Sequence, residues 1–568
     1  MTIVDMIKEE AGARVTTVFA AATLAGVSNA MLLGLANHAA EHSETVDFRL
    51  LAMFVVAGLL YVISARQTHH RTTAIVEDAL LRIKNRITRK LERAEAYGLE
   101  NMGRSEIYDR ITENIGMISD SAGQIANLMM SVLVLAAASL YVLWLSPEGF
   151  VFVALLIGSG MALFWNKRKV ILDGLQEASA QRLVFFDALT DLVQGFRETK
   201  FSAKRSDEVV GEVVHGTKTL RDLTVRTHVL FDDNYIFTNV VLFTLLCVLT
   251  MILPQYLEFT PATIGALTAT VLFAWNPIAG IAGGLPAYLR SNVALEQIAT
   301  LEGKLDAIAS EDAFGEAIQR PWPVQDYERP GQVFERLEVR GLEFKYPDSD
   351  EPGFRVGPLD LSVRAGEVVF LVGGNGSGKS TLFKALTGLY PAAAGQLIVD
   401  GVRVGKGNVA AYREMLSVIF TDFHLFTKLY GLLDADPQQA ARLLDQMQLS
   451  AKTNFENQRF TNRALSTGQR KRLAMIVALL EDRPICAFDE WAADQDPEFR
   501  QYFYEELVPS LVARGKTVIA VSHDDRYFHC ADQLITLDYG KVRSVVRQGD
   551  GPEPQPPQPS PPPPAPTP

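Results

Sequence analysis

The chain has 568 residues, 48% of them hydrophobic and 21% charged, with a formal net charge of −12. That length exceeds one ordinary globular domain, and the composition excludes both a disordered solvating chain and a disulfide-stapled mini-protein. The acidic balance argues against a general nucleic-acid coat, so no nucleic-acid partner is expected. Cys247, Cys486 and Cys530 lie far apart and form no CxxC pair. Neither a zinc centre nor a disulfide framework follows, and free thiols in a reducing compartment fit best.

Six apolar runs precede residue 300, at about 15–37, 49–65, 123–145, 149–165, 236–254 and 262–285. A bilayer core about 30 Å thick needs about 20 such helical residues, so each run is an expected membrane span. The first is read as a retained helix rather than a signal peptide, because Asp5, Glu9 and Glu10 stand where a basic segment would be. Loops 66–121 and 166–235 carry ten and eleven Lys plus Arg, whereas 38–48, 146–148 and 255–261 carry none. Basic loops stay inside, which places both termini and both long loops in the cytoplasm of a multi-pass membrane protein. Those long loops have helical patterns, and the spans are expected to extend well beyond the bilayer. Segments 96–110 and 187–200, broken by Gly98, Gly103 and Gly195, are candidate contacts with another domain; a solvated charged helix face is the alternative.

A polar connector with Pro321, Pro323 and Pro330 follows, and then short Val/Ile/Leu/Phe-rich runs alternate with helical patterns. That alternation predicts a mostly parallel α/β domain. The expected organisation is a helical domain over 1–301, a linker over 302–332, an α/β domain over 333–548 and a proline-rich tail over 549–568. The tail, with 11 prolines in its last 17 residues, is expected to be extended or disordered.

The chemistry begins at GGNGSGKST, the residues Gly373, Gly374, Asn375, Gly376, Ser377, Gly378, Lys379, Ser380 and Thr381. They follow the strand-like EVVFLV and precede the helical TLFKALTGL, which is the setting of a P-loop. Its backbone N–H groups wrap phosphates, Lys379 reaches the β and γ phosphates, and the Ser380 hydroxyl can bind Mg²⁺. Later, PICAFDE ends an apolar strand in two carboxylates. Asp489 suits Mg²⁺, and Glu490 can polarise an attacking water.

With these motifs in place the chain, apart from its tail, resembles the ATP-binding-cassette transporters of exporter type. LSTGQRKRLA resembles the family signature LSGGQ with Thr467 in place of a glycine. The resemblance implies that Ser466, Thr467, Gly468 and Gln469 serve the ATP site of an opposite subunit, at a helix N-terminus that favours anions. It implies that His523 senses the γ phosphate, that Asp494 in AADQDP is the D-loop aspartate, and that Tyr346 in FKYP stacks on adenine. Where most members place a Mg²⁺-contacting glutamine, IFTDFHLF puts Thr421 with Asp422 beside it. These two are expected to share the metal or attacking-water role through water.

The implied fold is a six-span α-helical transmembrane domain followed by an α/β P-loop NTPase domain. The implied machine is a homodimer, because each ATP site needs two cassettes head to tail. FTDFHLF, GFRETK and EWAADQDP are similar to the cyclic-peptide and peptide-siderophore exporter branch of Gram-negative bacteria. The expectation is therefore ATP- and Mg²⁺-dependent export of a small peptide across a bacterial inner membrane, in contact with membrane lipid. An importer or lipid translocator on the same scaffold stays open, and an ATP-gated channel is disfavoured because Glu490 and His523 equip the site for repeated turnover. Six spans exclude a soluble cassette ATPase of chromosome or translation type. Asn29, Asn127, Asn239, Trp275 and Asn276 can line a cavity or equally bond between helices, and they assign no substrate site.

Overall fold

The apolar runs of the first part become long helices, which is what a segment without nearby water must do to satisfy its own backbone. The computed structural model describes residues 2, 3, 5, 6, 8, 14–41, 47–102, 107, 108, 110–256, 261–310, 334–346 and 354–548. Within them the chain forms two units, Met1–Ala94 with Gly98–Ala309 and Glu95–Tyr97 with Ser310–Pro568.

The first unit contains the long helices α1 (Arg14–Glu41), α2 (Phe48–Arg93), α3 (Ile115–Leu145), α4 (Pro147–Gln194), α5 (Ala203–Cys247) and α6 (Pro261–Ser310). Among the described residues five stretches are long and apolar enough to cross a membrane: Val15–Ala39, Phe48–Arg93, Arg110–Leu145, Ala203–Tyr256 and Thr263–Ile308. The run at 149–165 lies inside α4, where many side chains fall outside the described set.

Helices α2 and α4 continue far past their apolar runs, and there the packing changes character. Leu80, Ile83 and Ile87 of α2 meet Ile118 of α3 and Leu301 and Leu305 of α6 in one buried cluster. Beside it Arg86 pairs with Glu302 at 2.7 Å and Lys90 with Asp306 at 2.6 Å. Helix α6 carries Pro277 and Pro286 in its interior and runs on to Ser310, past the expected boundary at 301. The rest of the expected linker and the whole proline-rich tail lie outside the described residues.

The second unit is built on two sheets and a small hairpin. Strands β1 (Arg336–Lys345), β2 (Arg355–Arg364), β4 (Ala394–Val399) and β5 (Val402–Arg403) form an antiparallel sheet in the order β2-β1-β4-β5. The second sheet contains β3 (Val368–Gly373), β6 (Leu416–Ile419), β9 (Ile485–Asp489), β10 (Thr517–Val521), β11 (Gln533–Asp538) and β12 (Lys541–Arg547), in the order β12-β11-β3-β10-β9-β6. The hairpin pairs β7 (Phe455–Glu456) with β8 (Arg459–Phe460).

β3, β9 and β10 are buried along nearly their whole length, as strands covered on both faces must be. β10 pairs in parallel with β3 on one side and β9 on the other. Their carboxyl ends, at Gly373, Asp489 and Val521, therefore emerge together, and a ligand of an open α/β sheet binds at such an end.

Candidate functional site

The loop after β3 turns sharply into helix α7 (Lys379–Leu386), and glycine makes the turn possible. Gly373, Gly376 and Gly378 sit at φ of +146°, +75° and +97°, angles that side-chain-bearing residues rarely adopt. A Cβ on Gly373 would strike the Leu537 carbonyl oxygen as well as lie 2.8 Å from Ser377 Oγ. The loop and the start of α7 thus line one cleft of about 450 Å³. It is lined by Tyr346, Phe354, Asn375, Gly376, Gly378, Lys379, Ser380, Thr381 and Glu490.

Lys379 is buried and donates to the carbonyls of Gly373 at 3.1 Å and Gly374 at 2.8 Å. Burial lowers its pKa, with the carboxylates of Glu490 and Asp489 pulling the other way. The Ser377 hydroxyl is also buried, and it has no partner among the described residues. A buried hydroxyl left so costs free energy, and an anion in the loop would satisfy it.

Across the cleft, Ser380 Oγ lies 3.5 Å from Asp489 Oδ1, and Thr421 Oγ1 donates to the Asp489 carbonyl at 3.3 Å. Burial raises the pKa of Asp489. No ion pair to this carboxylate occurs among the described residues, so its charge calls for a cation. A hydroxyl and a carboxylate are the hard oxygen donors Mg²⁺ takes, and Mg²⁺ usually adds phosphate and water to only one or two protein ligands. The donor set fits that ion. Asp422, the neighbour of Thr421, is exposed.

Glu490 begins a short turn of 3₁₀ helix over Trp491–Asp494, and its own backbone is left-handed at φ 50°. Its carboxylate Oε1 is 2.8 Å from His523 Nε2, and both side chains are about one-third exposed. His523 stands just past the end of β10, so the sheet itself brings the two together.

Tyr346 is held by its hydroxyl, 3.0 Å from Thr381 Oγ1. Its ring packs with Phe344 and Tyr390 at centroid distances of 5.0 and 6.5 Å. Tyr97, which groups with this unit, stands 5.3 Å from Tyr390 and 6.1 Å from Tyr346. Glu95 pairs with Arg413 at 2.8 Å. Tyr97 belongs to the first candidate contact segment; its aromatic partners were not legible in the sequence.

The signature segment opens helix α8 (Thr467–Glu481). Ser466 is its N-cap, accepting from the Gln469 N–H, while the Gln469 side chain accepts from the Ser466 N–H in a capping box. Thr467 takes the first helical position, which demands no left-handed angle and so accepts threonine. Gly468 is different: a Cβ there would lie 2.6 Å from the Asp494 carbonyl oxygen. Gln495 Nε2 also donates to the Gly468 carbonyl at 3.1 Å.

The P-loop residues, Asp489, Glu490, His523 and Tyr346 therefore gather at one cleft, and Thr421 bonds to the Asp489 carbonyl. Ser466, Thr467, Gly468 and Gln469 form a separate helix start that meets Asp494 and Gln495. Sequence reasoning missed Phe354, which lines the cleft without a motif, and Lys471, whose buried ammonium lies 2.7 Å from both the Glu490 carbonyl and Asp494 Oδ2.

Residues 356–493 match the family model described as ABC transporter. The chain is 37% identical to ATP-binding protein SyrD of Pseudomonas syringae pv. syringae over 52% of each protein. It is 31% identical to an ATP-dependent lipid A-core flippase of Alkalilimnicola ehrlichii over 42% of each. The chain spans about half the length, or less, of the curated relatives it matches. Among solved structures, that of a bacterial Atm1-family ABC exporter with ATP bound superimposes with a TM-score of 0.74 at 16% identity, covering 94% of this chain and 95% of that one. The chain thus carries an ABC transporter ATP-binding domain and has the fold of an Atm1-type ABC exporter.

Proposed function

We propose that this chain is one half of a homodimeric, ATP-hydrolysing exporter of small cyclic or otherwise modified peptides, peptide siderophores included, in a bacterial inner membrane. The observation that carries the hydrolytic reading is the Glu490–His523 pair, 2.8 Å apart at the rim of the P-loop cleft. Glu490 is placed to take a proton from the attacking water, and His523 orients that carboxylate and meets the γ phosphate. Lys379 and the loop amides bind the phosphates, with Tyr346 against adenine. Ser380 and Asp489 would hold Mg²⁺, with Thr421 and Asp422 supporting through water; the bound ion neutralises phosphate charge. Ser466, Thr467, Gly468, Gln469 and Asp494 serve the second copy's nucleotide, which makes the dimer a requirement of chemistry. The basic loops support a cytoplasmic location for both termini and the ATP-binding domain.

The peptide class rests on the branch resemblance of FTDFHLF, GFRETK and EWAADQDP, which the similarity to SyrD supports. A lipid translocator is the second reading, favoured by the similarity to lipid A-core flippases. The full-length protein in lipid vesicles separates them. Small cyclic peptides should stimulate ATP hydrolysis and accumulate on the side away from the ATP-binding domain. Stimulation by lipid A alone, with lipid A crossing the bilayer, would transfer the assignment to the second reading.

A further inference from the structure

Glu490 is the residue on which the hydrolytic reading turns, and its backbone is in an unfavourable conformation. At φ 50° and ψ 38° it sits in the left-handed region, which is costly for a residue other than glycine and persists only when its surroundings hold it. Its N–H makes one long bond, to the Val521 carbonyl at 3.3 Å. Its carbonyl accepts the Ala493 N–H, also at 3.3 Å. Against these stands one short, charge-assisted bond, from Lys471 Nζ to the Glu490 carbonyl at 2.7 Å.

Lys471 lies on the second turn of α8, and its side chain is 1% exposed. A buried ammonium is costly unless fully paired, and this one is paired with Asp494 Oδ2 at 2.7 Å. The same residue holds the next position too, since Trp491 Nε1 donates to the Lys471 carbonyl at 2.8 Å. Trp491 is itself fixed by packing on Phe503 at 4.7 Å between ring centroids. Lys471 therefore grips residue 490 by its ammonium and residue 491 by its carbonyl, and reaches the D-loop through Asp494.

We propose that Lys471 is a positioning residue for ATP hydrolysis: its buried ammonium locks the Glu490 backbone in the left-handed turn that aims the carboxylate at His523 and the phosphate cleft, and ties that turn to Asp494. Its alkyl stem fills the same space in methionine, so Lys471→Met removes the bond while keeping the packing. Released, residue 490 relaxes toward an ordinary backbone angle and its carboxylate moves off line, a misplacement of the order that costs about tenfold to a hundredfold in rate. The inference rests on Glu490 being the hydrolytic carboxylate.

The test is a double-mutant cycle of Lys471→Met and Glu490→Gln in the full-length protein in lipid vesicles, reading kcat and KM for ATP with Mg²⁺. Lys471→Met alone should lower kcat by about tenfold to a hundredfold and leave KM within about twofold. In the Glu490→Gln background it should change kcat by less than about twofold, because the group it positions is already disabled. Equal losses in both backgrounds, a rise in KM matching the fall in kcat, or unchanged kcat would each overturn it. Near wild-type hydrolysis in Glu490→Gln would instead remove the reading of Glu490 and this inference with it. If Lys471→Met fails to assemble, Lys471→Leu, which also lacks a donor, enters the same cycle with the same deciding outcomes.

Discussion

At Gly373 the ATP-binding domain admits one residue type, because the backbone is left-handed and a Cβ would strike the Leu537 carbonyl. Along α2 the helical unit is far less selective: Leu51, Val55, Val62 and Ile63 are all more than half exposed. A lipid-facing position asks only for an apolar side chain, whereas a loop wrapped on phosphates asks for particular angles, lengths and charges. The difference explains why one region announces its chemistry residue by residue and the other announces little beyond its length and sidedness.

The largest expected effect tests the demanding region at its centre. Glu490→Gln keeps the shape but removes the basicity, so turnover should fall by roughly 10²- to 10⁴-fold while ATP binding survives. Lys379→Ala should reverse that pattern and weaken binding itself, since it removes the cation that meets the phosphates. Equilibrium nucleotide binding and steady-state hydrolysis on both variants read the contrast. Wild-type turnover in Glu490→Gln would remove the carboxylate from the chemistry.

What was legible follows the same line. GGNGSGKST, the Asp489–Glu490 pair and His523 stood out because each closes a strand at the sheet's carboxyl edge, where spacing along the chain maps onto spacing in the site. Lys471 did not, because its partners lie at Glu490 and Asp494 and only the fold joins them; within LSTGQRKRLA it reads as one more helix-face cation. Phe354 and the ring cluster of Tyr97, Phe344 and Tyr390 were hidden for the same reason. In the helical unit the apolar runs were visible from composition, but the use of their polar residues was not. Asn239, a candidate for a cavity, donates to the Tyr235 carbonyl of its own helix at 3.1 Å. Trp275 packs edge-on against Phe243 at 5.0 Å.

The comparison weakens where helices of the first unit touch closely. A Cβ on Gly284 of α6 would lie 2.8 Å from Leu128 Cβ and 3.1 Å from the Gln124 carbonyl oxygen, both on α3. Small residues let membrane helices approach in this way. Gly284→Leu should therefore overpack the α3–α6 contact and cost about 1–3 kcal/mol, seen as a lower midpoint of thermal unfolding in detergent. The same substitution at Gly283, where a Cβ meets nothing within 4 Å, is the control. Equal midpoints for the two variants would mean that this interface tolerates bulk and that the unit is as permissive as α2 suggests.

Asp422→Asn probes the outer edge of the demanding region. Thr421 spends its hydroxyl on the Asp489 carbonyl and the neighbouring Asp422 is exposed, so the proposed support of a metal-bound water falls to the Asp422 carboxylate and is tested by this substitution. Loss of such a supporting charge should lower turnover by about tenfold, with a smaller change in ATP affinity. Unchanged turnover across Mg²⁺ concentrations would assign Asp422 to a surface role and leave Thr421 as the sole occupant of the glutamine position.

The gentlest perturbation tests the one strong statement the helical unit makes, its sidedness. Loops rich in Lys and Arg stay inside, so a cysteine at Gln255 should react with an impermeant thiol reagent added outside intact cells, and one at Ser206 should not. Gln255 is exposed and Ser206 partly so, and exposed substitutions of this kind change stability by within about 0.5 kcal/mol. Transport should therefore be preserved in both variants. The native thiols differ as backgrounds: burial pushes Cys486 up to about 12, which suppresses its reactive thiolate, whereas Cys247 is exposed and must first be replaced. Cys530 is partly exposed and lies in the ATP-binding domain; burial raises its pKa as well, so its labelling in opened cells sets the baseline against which it reports leakage of reagent across the membrane. Labelling at Ser206 with Cys530 protected would invert the orientation, and would show that even the charge of the loops, the feature read most directly from composition, had been misread.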